Sequence, residues 1–161
     1  MGEVLSLDDA VSVRESLRRQ DMKVVFTNGT FDIIHRGHVE YLTKARAMGD
    51  ALFVGLNSDD SVRSIKGDGR PVLPQDDRAY ILANLICVDY VVIFMEDTPL
   101  NLIRSLLPDI LIKGADWPVE KIVGKDIVEQ HGGTVATIEL TPGRSSTSVI
   151  DTILKRASFF K

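Results

Sequence analysis

The chain has 161 residues, 44% hydrophobic and 26% charged, which is enough apolar mass for one core and ordinary for a folded domain. A net charge of −4 argues against a large polyanion such as DNA or tRNA as partner, because such partners are met by basic surfaces; a local basic pocket for a small phosphate stays open. The single cysteine, Cys87, rules out an intrachain disulfide and fits a reducing cytoplasm. Set in the apolar run 81–88, it reads as a small buried hydrophobe rather than a reactive thiol. No apolar run approaches the length of a membrane span, and residues 1–10 lack the basic-then-apolar pattern of a signal peptide.

In chain order, residues 6–19 predict an amphipathic helix with Leu7, Ala10, Val11, Val13 and Leu17 along one side. A β-rich run at 23–26 follows and stops at Thr27-Asn28-Gly29-Thr30, which has loop chemistry. A helix from about 37 to 48 ends at Gly49. Residues 51–56 form a second strand, closed by the turn and cap residues Asn57-Ser58-Asp59-Asp60. The polar stretch 65–76, with Gly67, Gly69, Pro71 and Pro74, predicts a long loop, often a functional feature in a compact domain. Asp76 or Asp77 then caps a helix to about Val88, and 89–94 is a third strand. Thr98 is a cap with Pro99 at the first helical position, opening a helix through Leu107. A fourth strand covers 109–114. A helix around 122–130 stops at Gly132-Gly133, a fifth strand covers 134–140, and Ser146 or Thr147 caps a last helix through Arg156.

Strands thus alternate with helices, and the strands are continuous apolar runs, as expected when both sheet faces are covered. The pattern predicts an α/β fold: a Rossmann-like open parallel five-stranded sheet with helices on both faces, in a single domain over residues 1–161, with a helix within 1–20 and a core at 23–156. In such sheets ligands bind beyond the C-terminal strand ends, so informative residues should follow strands.

They do. After the first strand comes Thr27-Asn28-Gly29-Thr30-Phe31-Asp32, then His35-Arg36-Gly37-His38. Gly29 allows close backbone approach to a ligand, and Gly37 leaves room at the helix mouth. His35 and His38 are three apart at a helix start, so their rings can share one side, where free amides and the positive helix end suit an anion. Two imidazoles there can hydrogen-bond phosphate oxygens as charge builds in a transition state. A bare histidine pair would equally fit a loose metal site or ordinary surface residues. The full string is more specific. It resembles the His-x-Gly-His class of nucleotidyltransferases, in which this turn grips a triphosphate.

After the fifth strand, Arg144-Ser145-Ser146-Thr147-Ser148 is a helix cap or a second phosphate cradle. It is similar to the Arg-x-x-x-Ser-Thr-Ser/Thr run that contacts the β- and γ-phosphates in cytidylyltransferases, although Arg144 lies only two positions before Ser146. After the fourth strand, Lys113-Gly114-Ala115-Asp116-Trp117 resembles the family segment that lines the nucleoside pocket, with Ala115 where glycine is usual. Trp117 suits base contact or loop packing equally. Lys66 and Arg78, taken alone, are ordinary surface charges. The resemblance gives Lys66 a phosphate-neutralising role and places Arg78 near the nucleotide.

Several stretches resemble the adenylyltransferase domain of the bacterial heptose pathway. Among them are 26–32, 55–59, 66–72, 87–92, Glu96-Asp97-Thr98-Pro99 and 111–114. Thr30 stands where that family commonly has cysteine. The resemblance implies transfer of AMP from ATP to D-glycero-β-D-manno-heptose 1-phosphate. His35, His38 and Lys66 would be the catalytic group. Thr27, Asn28, Gly29, Thr30, Phe31, Asp32, Gly37, Arg78, Lys113, Gly114, Asp116, Arg144, Ser146, Thr147 and Ser148 would bind the nucleotide. It also implies Mg²⁺ held on phosphate oxygens mostly through water, with no metal-ligating protein residue. A cytoplasmic homodimer would be supplied by a separate heptose kinase. The apolar tail Ser158-Phe159-Phe160 would be either interface or a frayed end. The rivals are a glycerol-3-phosphate cytidylyltransferase, an FMN adenylyltransferase and a non-catalytic nucleotide-binding module. An aminoacyl-tRNA synthetase fragment, with a similar histidine turn, is disfavoured by the acidic charge.

Overall fold

Every pairing in the sheet is parallel, as a succession of strand–helix–strand crossovers requires. The structure, a computed structural model, describes residues 1–157, so the tail Ser158-Phe159-Phe160 lies outside the described residues. The strands are β1 (Glu3–Leu5), β2 (Val24–Gly29), β3 (Ala51–Asn57), β4 (Tyr90–Phe94), β5 (Ile110–Gly114) and β6 (Thr134–Ile138). The α-helices are α1 (Leu7–Arg19), α2 (Arg36–Arg46), α3 (Asp59–Lys66), α4 (Gln75–Ala83), α5 (Leu100–Leu106), α6 (Lys125–Gln130) and α7 (Ser146–Ala157). No helix among the described residues is long and apolar enough to cross a membrane.

Strand order is β1-β4-β3-β2-β5-β6. The chain moves outward from β2 through β3 to β4, then returns to the other side of β2 for β5 and β6. The reversal opens a crevice between the C-terminal ends of β2 and β5, where a doubly wound sheet binds ligands.

Alternation along each strand sorts the core into two layers. Val25, Leu52 and Val54 face α2 and α4, meeting Leu42, Ala45 and Leu82. Val24, Phe26 and Phe53 face the other way, meeting Leu17 of α1, Leu102, Ile103 and Leu106 of α5, and Val128 of α6. Both faces are covered, which explains the unbroken apolar strands.

Five expectations are corrected. The sheet has six strands, not five. The extra strand β1 is three residues long, lies at the sheet edge and pairs only with β4, so its β-structure comes from its neighbour rather than from a local apolar run. Strand β2 continues through Gly29 instead of stopping at Phe26, because Thr27, Asn28 and Gly29 pair with Val54, Gly55 and Leu56. Residues 59–66 form a helix, α3, capped by the Ser58 side chain accepting from the Ser61 amide; the long loop begins only after Lys66. Helix α4 starts at Gln75 without a side-chain cap and stops at Ala83, five residues before Val88. Last, Ser145 caps α7: its hydroxyl accepts from the Ser148 amide at 3.0 Å while Ser148 Oγ accepts from the Ser145 amide at 3.3 Å.

Candidate active site

A cleft of about 530 Å³ lies over the crevice between β2 and β5. It is built by the β2–α2 turn, the ends of β3 and β5, the C-terminal end of α3, the β4–α5 turn and the start of α7.

The β2–α2 turn supplies its floor. Asn28, Gly29, Thr30, Phe31, His35, Gly37 and His38 all line the cleft. The His35 and His38 rings stack, with centroids 3.9 Å apart and planes 19° from parallel, and Phe31 meets His38 edge-on at 5.3 Å. A Cβ on Gly29 would sit 3.0 Å from the Phe31 ring, and one on Gly37 would sit 3.1 Å from both the His35 ring and the Arg144 Cβ. A side chain at these positions would press on the rings and on Arg144 that line the cleft. His35 precedes α2 as its N-cap without a side-chain cap bond; the His38 amide donates to the His35 carbonyl, and the Arg36 and Gly37 amides are left to an anion.

Both His35 ring nitrogens, His38 Nδ1 and Asn28 Oδ1 are shielded and have no hydrogen-bond partner. Shielded polar atoms left unsatisfied are uncommon in folded proteins and point to an external partner. Burial pushes His38 down to about 4, helped by the nearby His35 and Lys66 and opposed by the Ile33 carbonyl. Burial, then the charge of Arg144, lowers His35 as well. Both shifts favour the uncharged imidazole, which offers one N–H donor and one acceptor nitrogen.

Lys66 lines the cleft from the end of α3 and donates to Thr30 Oγ1 at 3.0 Å. Burial, then repulsion from Arg70, lowers its pKa. Lys113, Gly114, Asp116 and Trp117 line the β5 side. Lys113 Nζ lies 3.5 Å from the Asn28 carbonyl and 5.8 Å from the Trp117 ring centroid. Burial brings Lys113 down to about 8, with Asp116 pulling the other way. Arg144, Ser146 and Thr147 line the opposite wall, where Ser146 Oγ donates to the Ile33 carbonyl at 3.3 Å. Thr141 Oγ1 donates to Glu40, which also accepts from Arg36 Nε at 2.6 Å, tying this wall to α2.

Four residues expected to bind the nucleotide do not line the cleft: three are buried behind it, and Ser148 is exposed on α7. Thr27 is buried, sharing a hydrogen bond of 2.8 Å with the Tyr41 hydroxyl. Ser148 is occupied by Ser145. Asp32, fully buried, accepts from Arg70 Nε at 2.7 Å, Val72 N at 2.8 Å and Leu73 N at 3.0 Å. Burial alone would raise its carboxyl, but the hydrogen bonds from Leu73, Val72 and Arg70 outweigh this and hold it low. Arg78, also fully buried, donates to the carbonyls of Leu73, Thr30 and Asn57 and to Asp59 Oδ1 at 2.6 Å. These two charges lock the 67–74 loop and α3 against the β2–α2 turn. They shape the site from beneath.

Sequence reasoning left Tyr41, Asn57, Asp97, Thr98, Leu140 and Thr141 out of the site, although all six line the cleft. Tyr41 was legible as the residue three beyond His38 on the same helix face. Asp97 and Thr98 were legible as polar residues following a parallel strand.

Residues 26–152 match the family model described as cytidylyltransferase-like. The bifunctional protein HldE of Syntrophotalea carbinolica is 54% identical over 159 residues, covering 94% of this chain and 32% of that protein. HldE of Helicobacter pylori is 50% identical over 139 residues, covering 86% and 29%. The chain spans about a third of the length of these relatives. Among solved structures, the lipopolysaccharide core biosynthesis protein from Thermoplasma volcanium superposes with a TM-score of 0.62 at 26% identity, covering 74% of this chain and 97% of that one. Pantoate-β-alanine ligase from Francisella tularensis, solved with β,γ-ATP and β-alanine, has a TM-score of 0.59 at 15% identity, covering 96% and 80%, and shares the fold. With the family match running from the β2 core into α7, the chain is a nucleotidyltransferase of the cytidylyltransferase-like family.

Proposed function

We propose that the protein transfers AMP from ATP to D-glycero-β-D-manno-heptose 1-phosphate, giving ADP-heptose and pyrophosphate. One observation carries the chemistry. The stacked His35–His38 pair, with unpartnered shielded nitrogens, faces Arg144 and the start of α7 across Gly37, so two anion-seeking surfaces share one cleft. Identity of 50% and above to HldE proteins supports the choice of heptose phosphate and ATP.

The acceptor is already an anion at its phosphate, so no general base is needed. One phosphate oxygen attacks the α-phosphorus in line, the bond from that phosphorus to the α,β-bridging oxygen breaks, and pyrophosphate leaves with the bond pair. Catalysis is then positioning plus charge stabilisation. His35 and His38 donate ring N–H bonds to α- and β-phosphate oxygens. Lys66 neutralises charge at the reacting phosphates. Arg144 and the α7 start, with the Ser146 and Thr147 hydroxyls, take the departing pyrophosphate. Lys113, Gly114, Asp116 and Trp117 accommodate the nucleoside.

Mg²⁺ belongs to the same reading: carried in with the triphosphate it would supply charge neutralisation, and no residue of this chain is assigned to hold it. The reading carries with it a sugar kinase acting upstream, a homodimeric assembly and a cytoplasmic location.

The test is pyrophosphate release from ATP, CTP, GTP and UTP, each paired with heptose 1-phosphate and with glycerol 3-phosphate. Release confined to ATP plus heptose 1-phosphate is expected. Release with CTP and glycerol 3-phosphate would replace the substrate while keeping the class. No release with any pair would favour a nucleotide-binding module.

A further inference from the structure

The β4–α5 turn contributes two polar residues, Asp97 and Thr98, that line the cleft and to which the proposed function gives no role. Neither side chain has a hydrogen bond or ion pair with any described residue. The turn itself is fixed. Ser58 N donates to the Phe94 carbonyl at 2.9 Å, Ser61 Oγ donates to the Glu96 carbonyl at 2.8 Å, and Asn101 Nδ2 donates to Glu96 Oε1 at 3.0 Å. Pro99 is buried behind it. Two free polar groups thus stand on a held backbone, the arrangement a recognition site requires.

Topology says what would reach them. The sheet order places β5 and β6 on one side of β2, and β3 and β4 on the other. On the β5 side, Gly114, Trp117 and Leu140 give an apolar surface suited to a base. The α7 wall, with Arg144, Ser146 and Thr147, takes the pyrophosphate end. In-line displacement brings the attacking oxygen from the side opposite the leaving group. The remaining approach is over β3 and β4, past Lys66.

Charge narrows the ligand further. The polar lining elsewhere is largely phosphate-seeking: His35, His38, Lys66, Lys113 and Arg144. The other lining carboxylate does not alter this flank, since Asp116 lies beyond β5 with Lys113. A carboxylate repels phosphate but accepts hydrogen bonds from hydroxyls, two at a time through its two oxygens.

We infer that Asp97 and Thr98 form the acceptor subsite that binds the hydroxyl groups of a sugar phosphate, with Lys66 between them and the nucleotide receiving the acceptor's own phosphate. The inference rests on the nucleotidyltransferase reading above and names the residues that choose its acceptor. Asp97 accepts from two hydroxyls, and Thr98 adds one hydroxyl that donates or accepts.

Steady-state kinetics of D97A, D97N and T98V, varying heptose 1-phosphate and ATP separately, test it. D97A should raise KM for heptose 1-phosphate roughly tenfold to a hundredfold, the scale of a lost charge-assisted hydrogen bond. D97N, which keeps one acceptor oxygen, should raise it less, and T98V least. KM for ATP and the melting temperature should stay unchanged in all three. An unchanged acceptor KM in D97A would overturn the inference. So would an equal rise in KM for ATP, or recovery at raised Mg²⁺, which would make Asp97 a metal contact. Failure of the underlying reading is visible separately: the unmodified protein would then release no pyrophosphate with any sugar 1-phosphate, removing both.

Discussion

Two walls of the cleft are built to different standards. The β2–α2 turn continues a central strand, packs Phe31 and Tyr41 into the core, and rests on the fully buried Asp32 and Arg78. The α7 wall begins in an exposed loop and continues into a helix with no buried residue. Side-chain bonds from Thr141 to Glu40 and from Ser146 to the Ile33 carbonyl tie it to the rest. The difference matches the two jobs proposed for them. Donors that stabilise developing charge must be held in place before reaction, whereas a wall that grips pyrophosphate must also let it go.

The comparison breaks first if the buried support is dispensable. Replacing Arg78 with Met strands Asp59 and three carbonyls, and should cost about 3–5 kcal/mol of stability, the usual result of removing one member of a buried charged pair. Urea denaturation reads this directly; a loss below about 1 kcal/mol would show that the turn does not depend on Arg78. Next in size, His38→Ala should leave the fold intact and lower turnover by ~10²-fold or more. Near-normal turnover in a folded variant would remove His38 from catalysis.

His38 also gives a pH signature. In the unfolded chain it takes up a proton near 6.5, but in the folded protein only near about 4. Between these values the unfolded state binds more protons, so stability should fall as pH drops from 6.5 to 4, with no contribution from His38 above that window. Denaturation midpoints at pH 7, 5.5 and 4 measure the slope. The slope should shrink in His38→Ala, and an unchanged slope would show that burial does not hold this ring neutral.

The smallest effect belongs to the looser wall. Thr141→Val removes a single tie to Glu40, so KM for ATP should rise roughly twofold to tenfold while the melting temperature hardly moves. A large loss of stability instead would mean that α7 is as firmly built as the β2–α2 turn.

The same contrast marks what the sequence made legible. The alternation of apolar runs and helices sufficed for the parallel sheet and for the rule that site residues follow strands. The histidine turn was readable because its parts are contiguous, from Asn28 to His38. The supporting roles of Asp32 and Arg78 were not, because their partners lie 38–41 and 5–48 residues away and meet them only when the sheet closes. A polar residue beside a binding motif looks like a ligand contact until its hydrogen bonds are seen to be spent. Strand β1 escaped for a related reason: three residues carry no period, and β4 supplies the pairing.

The most direct test of the account follows oxygen through the reaction. Heptose 1-phosphate labelled with ¹⁸O in its non-bridging phosphate oxygens is incubated with ATP and the protein, and the products are separated for mass spectrometry. Attack of that phosphate on the α-phosphorus predicts ADP-heptose that retains all of the label and pyrophosphate that carries none. Label in the pyrophosphate, or AMP released without a sugar adduct, would contradict nucleotidyl transfer to the sugar phosphate at this site.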